Sequence, residues 1–195
     1  AIKASAVVSS LFPEAVRDRI YNEHDVKEQE TAAWRAADSK DKSFMTNGDE
    51  TLGAKNGRPI ADKFDNTTIL FADIAGFTKW SSTRLPQEVF ELLETLYGAF
   101  DKIAQRRGVF KVETIGDCYL AATGLPAPQP DHAVRMAKFA RDCMVKMKQL
   151  TKDLEESLGK DTSDLSFRVG IHSGSVTAGV LRGDKSRFQL FGDTV

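Results

Sequence analysis

The residues best suited to chemistry stand at two turns. Asp73 closes the apolar run Ile69-Leu70-Phe71-Ala72, and Gly76 then precedes what reads as a helix start at Phe77 and Thr78. A carboxylate leaving a buried strand can point into a cleft, where hard cations such as Mg²⁺ take oxygen ligands. The first N–H groups of a helix lack partners within it and suit phosphate oxygens. Asp117 lies in a second turn, Ile115-Gly116-Asp117, between the β-like runs Val109 to Glu113 and Cys118 to Thr123. Two carboxylates converging from such turns would suit a pair of Mg²⁺ ions. Taken alone, the first turn is better explained as an ordinary strand-to-helix connection with Asp73 as a solvated cap.

Other tempting residues read as structural. His132 follows the helix-cap candidate Asp131, and His172 ends a strand-like run. Cys118 has no base implied nearby and reads as a small buried residue rather than a nucleophile. Gly179 to Ser186 looks superficially like a Walker loop, but the spacing is one residue short and Asp184 separates glycine from lysine; that motif requires the two to be adjacent.

Several elements must hold the two turns in place. The Ile69 to Ala72 run is apolar on both faces and predicts a strand buried on both sides. Pro86 and Glu88 open an amphipathic helix whose apolar positions are Val89, Leu93, Leu96, Phe100 and Ile103. After the hairpin and a proline-rich connection, Asp131 is a good N-cap for a second helix. That helix carries Ala133, Met136, Ala140, Met144, Met147, Leu150 and Leu154 on one face and ends near Gly159. A polar loop then leads to three strand-like runs, Ser166 to Ile171, Val176 to Leu181 and Phe188 to Phe191. This order suits an α+β, ferredoxin-like βαββαβ core, an antiparallel sheet with helices packed on one face. Its first and third strands would lie side by side at the centre, which would bring the Asp117 hairpin beside the exit of the Asp73 strand.

Composition narrows the function classes. A chain of 195 residues with 41% hydrophobic content suits one domain with attachments, and a net charge of −1 argues against a general nucleic-acid binder. Two cysteines, Cys118 and Cys143, point to a reducing compartment and a cytoplasmic setting. No apolar run approaches the ~20 residues needed to cross a bilayer. Residues 1–37 carry a thin stripe, Val16, Ile20 and Val26, typical of a docking or coiled segment. Residues 38–64 are polar and without period and read as a flexible linker or insertion; the regular domain is expected over 65–195.

At the level of whole segments the chain resembles the class III nucleotidyl cyclases, closest to the eukaryotic guanylate cyclase type. The resemblance rests on FADIAGFT from Phe71, FKVETIGDCYLAATGLP from Phe110, DHAVRMA from Asp131, FRVGIHSGSVTAGVL from Phe167 and RFQLFGDTV from Arg187, in that order. It implies an enzyme, a phosphorus-oxygen lyase making cyclic GMP or cyclic AMP. Asp73 and Asp117 match the family's metal-binding aspartates, with the Ile74 backbone as a further ligand and two Mg²⁺ or Mn²⁺ ions per site. The backbone of Ile74, Ala75, Gly76, Phe77 and Thr78 matches the phosphate loop, and Arg168 matches an arginine on the triphosphate. The same resemblance makes residues 1–37 a coupling segment between a sensor and the catalytic domain. It allows this chain to be the intracellular part of a membrane-anchored parent.

Glu113 and Gln189 fall where the family reads the base. A carboxylate accepts from the N1–H and amino group of guanine, and a glutamine amide can donate to O6, so the pair suits GTP. A turned glutamine amide can also accept from the adenine amino group, which keeps ATP and an adenylate cyclase as the alternative. The family continues past FGDTV with an asparagine, an arginine and a lysine that complete the site, so the resemblance implies a C-terminally truncated domain that turns over poorly by itself. Family members work as dimers, and a homodimer is expected of the full domain. A third reading is a catalytically silent, cyclase-like domain that dimerises to regulate a partner.

Overall fold

The computed structural model describes residues 60–181 and 187–195. The expected coupling segment, nearly all of the expected linker, and residues 182–186 of the Walker-like stretch lie outside the described residues. Packing divides the chain into a larger unit, residues 63–178 with 190–195, and a second unit to which 60–62 and 179–189 belong. The hydrophobic core and both turn aspartates belong to the larger unit.

Among the described residues five strands and four α-helices follow one another: β1 (Ile60–Ala75), α1 (Phe77–Ser81), α2 (Pro86–Arg107), β2 (Phe110–Ile115), β3 (Cys118–Thr123), α3 (His132–Asp153), α4 (Glu155–Leu158), a 3₁₀ turn (Lys160–Asp164), β4 (Ser166–Leu181) and β5 (Arg187–Phe191). The sheet order is β2-β3-β1-β4-β5, and β3 is antiparallel to both β1 and β2. This is the expected α+β arrangement, with β1 and β3 adjacent. Strand β1 begins at Ile60, inside the stretch read as linker, and is 16 residues long.

Helix α2 starts as its sequence dictates. Pro86 occupies the first turn, and the Glu88 carboxylate accepts the Leu85 N–H at 2.7 Å, covering a donor the helix itself cannot satisfy. Its buried stripe is Leu92, Leu96, Phe100, Ile103 and Ala104, with Val89 and Leu93 half-covered beside it. Burying each such large side chain is worth roughly 1.5–3 kcal/mol against leaving it in water. Helix α3 departs further from expectation. Asp131 makes no capping bond; its carboxylate accepts from Arg135 Nε at 2.6 Å instead. Of the expected face Met136, Ala140 and Met147 are buried and Leu150 and Leu154 pack beside the core, whereas Ala133 and Met144 are exposed and Phe139 and Cys143 are buried in addition. Phe139 reaches the Tyr119 ring, 6.1 Å between centroids.

The core lies between the sheet and α2 and α3. Leu70, Ala72 and Ile74 of β1 join it, whereas Phe71 is 39% exposed. Both faces are buried at Ile69 and Leu70, and the expectation of a strand buried on both sides is corrected from Phe71 onward: the alternation of β1 puts Phe71 and Asp73 on the face opposite the core. An apolar run reports that residues are hydrophobic, not what covers them. The loop expected after α3 is ordered by α4 and the 3₁₀ turn, whose Leu158 and Thr162 are buried. The two runs expected after it form one 16-residue strand, β4, with the exposed His172 in its middle rather than at an end. Among the described residues no helix is long and apolar enough to cross a membrane.

Candidate active site

The site is assembled by strand register. Ala72 of β1 faces Tyr119 of β3, so the next step of the ladder sets Asp73 opposite Cys118, with Asp117 one residue beyond at the turn. Directly opposed residues lie about 5 Å apart between Cα atoms. The electrostatics agree with this convergence. The Cys118 thiol is pushed up by burial first, then by the negative charge of Asp73, and further by Asp117 and Glu113. A hydrogen bond with the Ala72 backbone works in the opposite direction. Four of the residues singled out from the sequence thus share one end of the sheet. Cys118 is free and half-buried among three carboxylates, which disfavour its thiolate and agree with an inert role.

Arg168 comes to the same place from β4. Its Nε and one terminal nitrogen donate to the two oxygens of Asp73 at 2.7 and 2.9 Å, a bidentate pair at the open face. The Asp73 bonds and charge, with a smaller contribution from Asp117, hold the guanidinium more firmly protonated. A cation that takes Asp73 would compete with this fork for the carboxylate.

The chemistry of the expected donor set would suit a hard divalent ion, because the carboxylates of Asp73 and Asp117 and the backbone carbonyl of Ile74 all offer oxygen. Among the described residues no group of three or more His, Cys, Asp or Glu side chains could hold a metal. The two aspartates would therefore depend on backbone and phosphate oxygens to complete the coordination.

Gly76 sits at φ 88°, a left-handed conformation that a side chain would strain, and it turns the chain from β1 into α1. The first returning bond of α1 runs from Trp80 N–H to the Gly76 carbonyl at 3.0 Å, leaving the earlier N–H groups without a partner inside the helix. With only five residues, α1 aligns few peptide dipoles, so an anion here would rely on those N–H groups directly. The helix is pinned from behind: the buried Trp80 ring donates its N–H to Thr162 Oγ1 at 3.1 Å, and Arg84 stacks 5.0 Å over it while pairing with Asp161. Trp80 and the 3₁₀ turn are parts that sequence reasoning missed, because their partnership spans about eighty residues.

Glu113 is half-buried on β2, beside an irregularity between Lys111 and Glu113 in the β2–β3 pairing. Gln189 belongs to the other packing unit, where it is a half-buried residue of β5. His132 holds its expected structural place: its Nδ1 is 2.6 Å from the hydroxyl of the buried Thr68, which also bonds Ser173 at 2.8 Å. His172 instead lines a cleft of about 290 Å³ with Phe71, Asp193 and Thr194.

The catalytic-domain family of adenylate and guanylate cyclases matches residues 60–195. The chain belongs to that family. A receptor-type guanylate cyclase of Caenorhabditis elegans is 42% identical over 140 residues, 71% of this chain and 11% of that protein. An adenylate cyclase of Mycobacterium bovis is 37% identical over 136 residues, 70% of this chain and 29% of that protein. This cyclase-family chain thus spans less than a third of either relative. Among solved structures, the guanylate cyclase domain of a protein from Catenaria anguillulae, in complex with GTP, superimposes with a TM-score of 0.60 at 38% identity, covering 69% of this chain and 70% of that one.

Proposed function

We propose that this class III cyclase domain converts GTP to cyclic GMP and pyrophosphate. The observation that carries the reading is the meeting of Asp73, Asp117 and Arg168 at one end of the sheet, beside the N–H groups that have no partner within α1. In the reaction a bond forms from the ribose 3′-oxygen to the α-phosphorus, the bond from that phosphorus to the β-bridging oxygen breaks, and the hydroxyl proton is released. Bound by Asp73, Asp117 and the Ile74 carbonyl, Mg²⁺ or Mn²⁺ would acidify the 3′-hydroxyl and neutralise charge on the triphosphate. Arg168 leaves Asp73 for phosphate oxygens as the substrate arrives, exchanging one bidentate anion for another. The backbone N–H groups of Gly76, Phe77 and Thr78 take further oxygens, which positions the α-phosphorus. Glu113 accepts from the guanine N1–H and amino group, and Gln189 donates to O6. The exposed Phe71 on the open face supports assembly as a homodimer, because a second copy would cover it.

ATP is the competing substrate, favoured by the likeness to the mycobacterial adenylate cyclase. Both readings are tested by assaying cyclic product from each triphosphate with Mg²⁺ or Mn²⁺, using Asp73→Ala as control. Product from GTP in excess over ATP, abolished by the alanine, supports the proposal; full activity in the alanine variant removes the metal assignment. Converting Glu113→Lys together with Gln189→Asp should move preference toward ATP, and an unmoved ratio defeats the base-reading argument.

A further inference from the structure

The Asp117 turn is held from outside the hairpin. Tyr97, on α2, donates its hydroxyl to the Gly116 carbonyl at 3.2 Å. Gly116 stands at φ 60°, the left-handed position of the turn, and the next residue is Asp117. The hydroxyl therefore grips the peptide that aims the carboxylate. The proximity has an electrostatic trace: burial, and then the Asp117 charge, push the Tyr97 phenol above its ordinary range, so at neutral pH it is a proton donor.

The same helix clamps the two strands behind the turn. Asp101, one helical turn after Tyr97, accepts from Lys111 Nζ of β2 and from the Tyr119 hydroxyl of β3, both at 2.8 Å. Lys111 lies over the Tyr119 ring at 5.3 Å and the Tyr97 ring at 6.0 Å. The Tyr97 ring also packs against Tyr119 and Phe100, with centroids 5.7 and 6.4 Å away. Asp101 thus ties the two strands to α2, and the Tyr97 bond ties the Gly116 peptide between them to the same helix.

We infer that Tyr97 is a positioning residue for Asp117: through Gly116 it holds the carboxylate in the orientation that binds a divalent cation. The inference rests on the reading of Asp117 as a metal ligand. It assigns to α2 a part in the site that its sequence pattern, an amphipathic core helix, does not reveal.

The test is a Mn²⁺ titration of the chain without nucleotide, following the electron paramagnetic resonance signal of free Mn²⁺, for the wild type, Tyr97→Phe and Asp117→Asn. Phenylalanine keeps the ring and its neighbours, so the variant should fold with an unchanged circular dichroism spectrum. Losing one hydrogen bond should weaken Mn²⁺ binding about two- to tenfold. A second reading comes from Cys118, which follows Asp117 and is half-buried, whereas Cys143 is fully buried. Thiol labelling of Cys118 at fixed pH should quicken in Tyr97→Phe as the turn loosens. If Asp117→Asn weakens Mn²⁺ binding and Tyr97→Phe does not, the positioning role is overturned and the ligand reading stands. If Asp117→Asn also leaves the curve unmoved, the ligand reading fails and the inference with it.

Discussion

The two aspartates reach the same end of the sheet by different means. Asp73 extends from β1, a long central strand with Leu70, Ala72 and Ile74 locked in the core, and its carboxylate is held by a side chain, Arg168. Asp117 sits on a short hairpin turn between β2 and β3, and what steadies it is a backbone carbonyl held by Tyr97 from α2. The difference teaches that a site can combine one carboxylate on a core-anchored strand, already paired with a side chain, with another on a turn that is held through its backbone. The first is altered by changing charge, the second by changing packing.

The largest expected effect removes the comparison altogether. Phe100 is fully buried, with its ring 4.8 Å from Phe167 next to Arg168 and edge-on to Tyr119 in the hairpin. Phe100→Ala should cost about 3–5 kcal/mol of stability, read by denaturant unfolding, and should disturb both regions together. Next, Asp73→Asn and Asp117→Asn should each lower cyclisation by at least about 100-fold in a steady-state assay, beyond the 10- to 100-fold typical of losing an outer-shell metal partner. Substitution of Arg168→Gln separates the two regions. Triphosphate binding should weaken about tenfold for want of a bidentate cation, while Mn²⁺ binding without nucleotide should hold or tighten, because Asp73 is no longer engaged. Calorimetric titration of each ligand checks the pair of outcomes; a loss of Mn²⁺ affinity would contradict the proposed exchange.

The smallest effect sharpens the comparison. Because negative charge on both aspartates disfavours the Cys118 thiolate, neutralising either should move the thiol's labelling profile to lower pH in metal-free protein. The shift should be greater for Asp73→Asn than for Asp117→Asn, as Asp73 contributes more to raising the thiol. The reverse order would mean that Asp117 lies nearer the thiol than the register implies.

Much of the fold is legible in the sequence. The stripes of α2 and α3 and the hairpin around Gly116 follow from local periodicity and turn chemistry, which short windows of sequence contain, and the central pairing of β1 with β3 is expected from the order of the elements. The departures are also physical. The apolar run around Phe71 predicts burial, but hydrophobicity does not name its cover, and the α3 stripe includes the exposed Met144 while omitting Phe139, which packs against Tyr119. Asp131 has the chemistry of a cap, but Arg135 offers its carboxylate a charged partner four residues on.

By itself the sequence determined which residue types were available and the family in which they occur: Asp73, Asp117 and Arg168 stand in segments long enough to be recognised wherever they fold. The tertiary structure alone decided their relationships. Arg168 lies 95 positions from Asp73 and Tyr97 lies 19 from Gly116, and no local periodicity encodes contacts over such separations. Strand register and helix packing bring them within hydrogen-bond distance, because a hydrogen bond depends on position in space and not along the chain.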